Sequence, residues 1–404
     1  MEFRKLLTAC VGTVLLATPA FAGPTWTFGP EDQGALKLEY KGQFQLNHRD
    51  TGGGADDDES VSEFNFRRNR VALMGAYGKH LGLYVQTEYS EDRNITGFNV
   101  TDGTEDDFQL LDAVMRFKYN DAVNFWLGKY KYSFSRENLE ACEMPLTLDR
   151  SLLIQAPLAS ENTRDKGVTL WGNLFNDVFQ YRLDAMNGRN DSDSAPDSAF
   201  RYGARAHVTL LDPENGHGYK GTYLGEKKVL TLGGAYQMEK DVAYSNLGNL
   251  NIRGDETGAV DYEAWTVDLF FEYPVDGVGT FTVSGAYADY DLDDAYQGAN
   301  PDALTTGING EKNGGYVKIG YMLPNLPLQF FARSESWSLA NYNGFGDQEV
   351  DWYGGGFNYY FRGQDLKLTM ELSQADFDKE GYGLGSTELT EDFTTFTAQM
   401  QVIF

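Results

Sequence analysis

Apolar and polar residues take turns along most of this chain. Leu36, Leu38, Tyr40, Phe44 and Leu46 alternate with Lys37, Glu39, Lys41, Gln43, Gln45 and Asn47, and Gly42 keeps the apolar rhythm. A period of two places the two sets on opposite faces of a β-strand. The rhythm returns near residues 81–89, 111–119, 179–185, 202–210, 265–273 and 366–372. The final stretch keeps it to the last residue, with Phe396, Ala398, Met400, Val402 and Phe404 on one face and Thr397, Gln399, Gln401 and Ile403 on the other. An amphipathic strand ending on an aromatic resembles the recognition signal of the outer-membrane assembly machinery.

Sixteen strands are expected, and their connections alternate in length. Residues 78–79, 120–122, 173–177, 274–279, 324–327 and 362–364 are short turns. Residues 48–62, 90–107, 133–166, 187–199, 238–261, 291–313, 340–349 and 375–393 are long, polar and acidic. Short turns at one end and long loops at the other are the pattern of transmembrane β-barrels, and an even count leaves both termini on the short-turn side. Residues 212–228 break the rule, being long where a short turn is due. The expected fold is therefore all-β, a 16-stranded antiparallel transmembrane β-barrel.

Composition agrees with this reading. The 404 residues hold 14% aromatics, 45 glycines and a net charge of -27. No run of about 20 apolar residues follows the N-terminus, which excludes membrane-spanning helices. A barrel hides its lipid face in alternation, so low average hydropathy is no objection. Residues 1–22 read as a cleaved signal peptide: Arg4 and Lys5 precede an apolar run, and Ala20-Phe21-Ala22 offers the cleavage site. A lipoprotein box at Cys10 would sit at the wrong end of that run. Residues 23–404 then form one barrel domain, with no linker or helical block inside it.

Chemistry-bearing motifs are sparse. Cys142 stands alone after cleavage, and His48, His80, His207 and His217 are scattered, so neither a disulfide nor a metal site is expected. No Gly-x-Ser-x-Gly or His-Glu-x-x-His occurs, and neither an enzyme, a cofactor nor a nucleic-acid partner is expected. Asp289, Asp291 and Asp293 have the spacing of a calcium loop without its glycine and distal glutamate. The acidic loops read better as solvated surface, or as divalent-cation bridges to lipopolysaccharide.

One stretch carries a resemblance. Gly128-Lys129-Tyr130-Lys131-Tyr132-Ser133-Phe134-Ser135-Arg136-Glu137 is similar to a motif of the phosphate-selective porin O and P family, with Lys129 and Ser133 in place of its glutamine and proline. Phe66-Arg67-Arg68-Asn69-Arg70 resembles the family's arginine-rich strand start. Asp149-Arg150-Ser151-Leu152 and Arg164-Asp165-Lys166-Gly167-Val168 resemble its third-loop elements, and Asn187-Gly188 and Asn358-Tyr359-Tyr360 also fit. The resemblance implies a 16-stranded, homotrimeric barrel in the outer membrane, with the third external loop, here residues 133–166, folded inward as a constriction.

Charge then bears on the solute. Much of the acid lies in the long loops. The inferred lumen face carries ten bases: Lys37, Lys41, Arg116, Lys118, Arg182, Arg201, Arg205, Lys318, Arg333 and Lys367. Seven acids oppose them: Glu39, Glu88, Asp112, Asp184, Asp268, Glu272 and Glu371. Lys129 and Lys131 join the bases if Trp126, Tyr130 and Tyr132 face lipid. Arg136, Arg150, Arg164 and Lys166 are the third-loop candidates. Charges in a narrow pore govern ions more than loop charges beyond a Debye length of roughly 8 Å. The expectation is a passive channel for small anions and oxyanions such as phosphate or selenite. In the competing reading the same bases only pair with lumen acids. A second alternative is a sheath or accessory of an outer-membrane multihaem cytochrome, which needs an open lumen.

Overall fold

The computed structural model describes residues 23–54, 58–90, 107–151, 154, 156–157, 163–189, 195–197, 199–248, 256–293, 295–296, 300, 302, 305–340, 348–379 and 391–404. The proposed signal peptide lies outside them. Seventeen strands run in order: β1 (Thr25–Phe28), β2 (Gly34–Gly53), β3 (Glu59–Tyr77), β4 (Leu81–Ser90), β5 (Asp107–Lys118), β6 (Asn124–Lys131), β7 (Arg164–Leu174), β8 (Phe179–Met186) and β9 (Arg201–Thr209). They continue with β10 (Val229–Asn246), β11 (Thr257–Val275), β12 (Gly279–Asp291), β13 (Lys312–Met322), β14 (Leu328–Leu339), β15 (Gln348–Arg362), β16 (Leu366–Phe377) and β17 (Phe393–Ile403).

Strands β2 to β17 pair antiparallel, each with its sequence neighbours. The last strand closes the ring on β2, with Gln401 opposite Gln43 and Ala398 opposite Leu46. Closure leaves no unpaired edge, the condition for strands to cross a bilayer. The extra strand, β1, pairs only with the start of β2. The short turns fall where the sequence placed them, several around residues with positive φ such as Gly78, Asn176, Gly277 and Asn325.

The two faces match the alternation. Phe44, Leu183, Val317 and Ile319 are exposed on the outer wall, while Gln43, Gln45, Asn47, Gln399 and Gln401 are buried inside. Across the closing seam these amides bond to one another, Gln43 to Gln401 at 2.6 Å and Gln45 to Gln399 at 2.9 Å. The interior along this seam is thus polar and bridged by side-chain hydrogen bonds.

Two segments fill much of the lumen. The third external loop leaves β6 and turns through helix α1 (Arg136–Leu139), whose first turn is capped by the Ser135 hydroxyl accepting from the Asn138 N–H at 2.9 Å. Its backbone then reaches facing strands: the Asn358 side chain donates to the Leu146 carbonyl at 2.8 Å, and the Leu148 N–H donates to Glu371 at 2.9 Å. A Cβ on Gly320 would meet the Leu146 side chain at 2.6 Å, so glycine lets the loop lie against β13.

The second segment is the anomalous connection between β9 and β10, which folds into the barrel against the loop. The Ala141 N–H donates to the Tyr219 carbonyl at 3.0 Å, the Tyr219 N–H to the Leu139 carbonyl at 3.3 Å, and the Gly221 N–H to the Met144 carbonyl at 2.9 Å. Its unusual length is explained by this inward course.

Candidate functional site

Among the described residues, three neighbouring cavities lie along the β2–β7 wall. An outer cavity of about 150 Å³ is bordered by Arg67, Arg68, Arg70, Arg150 and Arg164, with Glu88 and Asp149. A central cavity of about 370 Å³ shares Arg70 and Arg164 with it and adds Lys41, Arg116 and Lys131, with Asp112 and Glu143. A third cavity of about 490 Å³ near the short turns shares Arg116, Trp126 and Trp171 with the central one and adds Lys79 and Lys118, with Asp121 and Asp177. Among the described residues, ten basic residues against six acids therefore border these three neighbouring cavities.

The fold positions these groups through the strand rhythm and one irregularity. The β2–β3 register slips so that Gln43 faces Arg68 while Phe44 faces Phe66, leaving Arg67 as the extra residue of a bulge. Arg67 and Arg68 therefore both reach Asp149 of the third loop, at 2.6 and 2.7 Å. Burial pushes the Asp149 carboxyl up, but Arg67 and Arg68 outweigh it and hold it well below the usual range. Farther in, Arg70 pairs with Glu88 at 2.6 Å and Arg164 with Asp112 at 3.1 Å. Lys41 pairs with Glu143 of the loop and with Glu39 at 3.3 Å. The Lys131 ammonium donates to the Glu140 carbonyl at 2.6 Å and lies 3.5 Å from the Cys142 sulfur.

The candidate residues divide by location. Lys41, Arg116, Lys131 and Arg164 border the central cavity, Arg150 the outer one and Lys118 the inner one. Lys37 pairs with Glu39 at 3.0 Å outside these cavities. Arg333 borders a separate space of about 40 Å³ and lies 3.6 Å from Glu371. Arg136, Arg182 and Arg205 lie buried where the loop and the inward connection fill the lumen. Arg136 binds Glu214, Arg205 binds Asp268 at 2.6 Å, and Arg182 donates to the His217 carbonyl at 2.7 Å. Arg201 binds Glu239 at 2.7 Å and Lys318 binds Glu137. Arg136, Arg201, Arg205 and Lys318 are thus paired with acids, as in the competing reading, while Arg182 has a backbone partner.

Two candidates need correction. Lys129 pairs with Ala113 in the register and Lys166 pairs with Lys129, on the face that carries the exposed Met115 and Val168. Both point outward. Trp126 borders the central cavity and Tyr130 is buried beside it, so β6 turns its aromatic series inward. Lys131, at the end of the strand, still reaches the lumen.

Sequence reasoning missed other residues here. Arg67, Arg68 and Arg70 were noticed as a motif but not as cavity residues. Arg68 and Arg70 are two apart, which puts them on one strand face, whereas the bulge at Arg67 leaves no mark in the periodicity. Cys142 and His217 also border the central cavity. Burial raises the Cys142 thiol, and Arg150, Lys131, Arg70 and Arg68 more than reverse this, holding it well below the ordinary thiol range.

A closed antiparallel barrel with an apolar outer wall, a polar lumen and a narrow charged path is an outer-membrane diffusion channel of Gram-negative bacteria. Residues 38–404 match the family of phosphate-selective porins O and P, and the chain belongs to it. Among solved structures, an anion-selective porin from Comamonas acidovorans superposes with a TM-score of 0.56 at 11% identity, over 92% of this chain and 100% of that one. Salmonella typhi OmpF in complex with daunomycin gives 0.58 at 12% identity, over 93% and 99%. A trimer form of OmpT, an outer-membrane protein of Vibrio cholerae, gives 0.52 at 14%, over 92% and 99%. At these identities the likeness is one of fold. No curated protein matches in sequence. The protein is a channel for small solutes and not an enzyme. The cytochrome-sheath alternative has no support, because the lumen it requires is largely filled by the loop and the inward connection.

Proposed function

We propose that this porin passes small anions, oxyanions such as phosphate and selenite among them, and that its solutes follow the three neighbouring cavities. The observation that carries this reading is the excess of bases, ten against six acids, along that path. Guanidinium forks suit oxyanions because they offer paired hydrogen bonds. Acids more than a Debye length from the path, roughly 8 Å, are screened and weigh less than the bases that border it. Membership of a family named for phosphate supports the same direction. A homotrimer in the outer membrane, against lipid and lipopolysaccharide and reached through the proposed signal peptide, fits the trimer form of the Vibrio neighbour.

Single-channel chloride currents titrated with phosphate test the proposal. A current that falls and saturates is expected, because phosphate would occupy the same bases more strongly. A current indifferent to phosphate would oppose it.

A further inference from the structure

Among the arginines bordering the central cavity, Arg116 is the odd one. Arg70 is neutralised by Glu88 and Arg164 by Asp112. Among the described residues Arg116 makes no hydrogen bond and no ion pair, and its Nε is buried without a partner. Asp112, the carboxylate nearest in influence, is already taken up by Arg164 and by the Gln86 amide at 3.0 Å. What holds Arg116 is aromatic. Its guanidinium carbon lies 4.4 Å from the Trp126 ring centre and 5.0 Å from that of Tyr84. Stacking of this kind fixes the plane of a guanidinium and leaves its N–H edge free for an anion.

The surroundings of that edge are unusual for a path meant only for inorganic ions. Trp126 and Trp171 stand at 89° with ring centres 6.2 Å apart, forming a right-angled aromatic corner. His217 from the inward connection backs Trp126 at 3.7 Å and 22°. The indole N–H of Trp171 and the Nε2 of His217 are buried without partners. Trp126, Trp171 and Arg116 all border both the central and the third cavity, so this corner stands where the two adjoin. A hydrated phosphate or chloride gains little from the faces of two indoles, whereas a flat unsaturated ring gains from face and edge contacts.

We propose that Arg116 with the Trp126–Trp171 corner is a binding subsite for organic anions that join a carboxylate to a flat, unsaturated body. The carboxylate meets the free edge of Arg116, and the body lies against the indoles. The inference rests on the reading of the cavities as an anion path and adds a solute class to it. The preference comes from ring contacts, so it separates anions of equal charge.

The test compares block of chloride current by benzoate, cyclohexanecarboxylate and acetate in bilayers. In the unaltered channel benzoate is expected to half-block at about a tenth of the acetate concentration, the effect of a ring contact converted to affinity. Trp171→Leu is expected to bring the two within about twofold while block by phosphate persists. Arg116→Gln is expected to weaken benzoate, acetate and phosphate together. Trp126→Leu gives an independent reading should Trp171→Leu fail to assemble, since heat-modifiable gel migration reports assembly of each. An anion-selective channel in which benzoate equals acetate would overturn the subsite and leave the anion path standing. Equal block by cyclohexanecarboxylate would overturn the ring assignment. A cation-selective channel would overturn the anion path, and the subsite with it.

Discussion

Arg136 of the third external loop and Glu214 of the inward β9–β10 connection meet inside the barrel, each terminal guanidinium nitrogen 2.7 Å from a carboxylate oxygen. Both are almost fully buried, and neither belongs to a strand. Tyr223 and Thr231 each donate to Glu214 at 2.6 Å, and the Arg136 guanidinium stacks 3.8 Å from the Phe270 ring centre. Two loops entering from opposite ends of the pore are thus clamped to each other and to the wall.

Removing one member of this pair leaves the other buried and charged. Glu214→Ala is expected to cost about 3–5 kcal/mol locally. The strand ladder is untouched, so the loss should appear as noisier and larger single-channel conductance rather than a failure of the barrel to assemble. Arg136→Met combined with Glu214→Gln should recover much of the quiet conductance. A double variant as noisy as the single one would argue against the clamp.

The same contact is expected to depend on pH. Glu140, whose neighbours pair with Tyr219 of the inward connection, is pushed up to about 7, first by burial and then by Glu137. A carboxyl with a folded pKa above its unfolded value adds stability fully below the unfolded value, near 4.5, and that stability is lost as pH rises through about 7. Amide exchange at Tyr219 and Gly221 should therefore speed up between about pH 4.5 and 7 beyond the intrinsic base dependence. Glu140→Gln should remove the excess, and an unchanged excess in that variant would contradict the assignment.

Cys142 offers a probe of the central cavity. Surrounding cations hold its thiol well below the ordinary range, which favours the reactive thiolate. A sulfonate-bearing methanethiosulfonate is expected to reduce the current of the unaltered channel but not of Cys142→Ser. Its rate should fall less steeply than that of a free thiol as pH drops from 8 to 6.5. A tenfold fall per pH unit would show an ordinary thiol instead.

How much of this was legible in the sequence follows from which contacts obey a period. Strand faces such as Gln43, Gln45 and Phe44 repeat every two residues, and so do the turns between them, so the barrel and its loop lengths could be read directly. The 212–228 anomaly was visible, but its destination was not, because the bonds from Ala141 and Gly221 join segments about 80 residues apart. The partners of the candidate bases were hidden for a related reason. Alternation identifies Arg205 and Arg333 as lumen residues without revealing that Asp268 and Glu371 neutralise them. In β6 the lysines at 129 and 131 suggested a polar series facing water, whereas Trp126 and Tyr130 turn inward onto the lumen segments and Lys129 faces out near the end of its strand. The arginine cluster of β3 was read as a motif, yet its double presentation depends on a bulge that only pairing reveals.

The account stands or falls on the sign of the permeant ion. Reversal potentials of the purified channel in a planar bilayer under a potassium chloride gradient measure it directly. Chloride is expected to permeate better than potassium, and Arg116→Glu and Arg164→Glu are each expected to shrink that preference. A potassium preference in the unaltered channel, or a chloride preference indifferent to both substitutions, would contradict it.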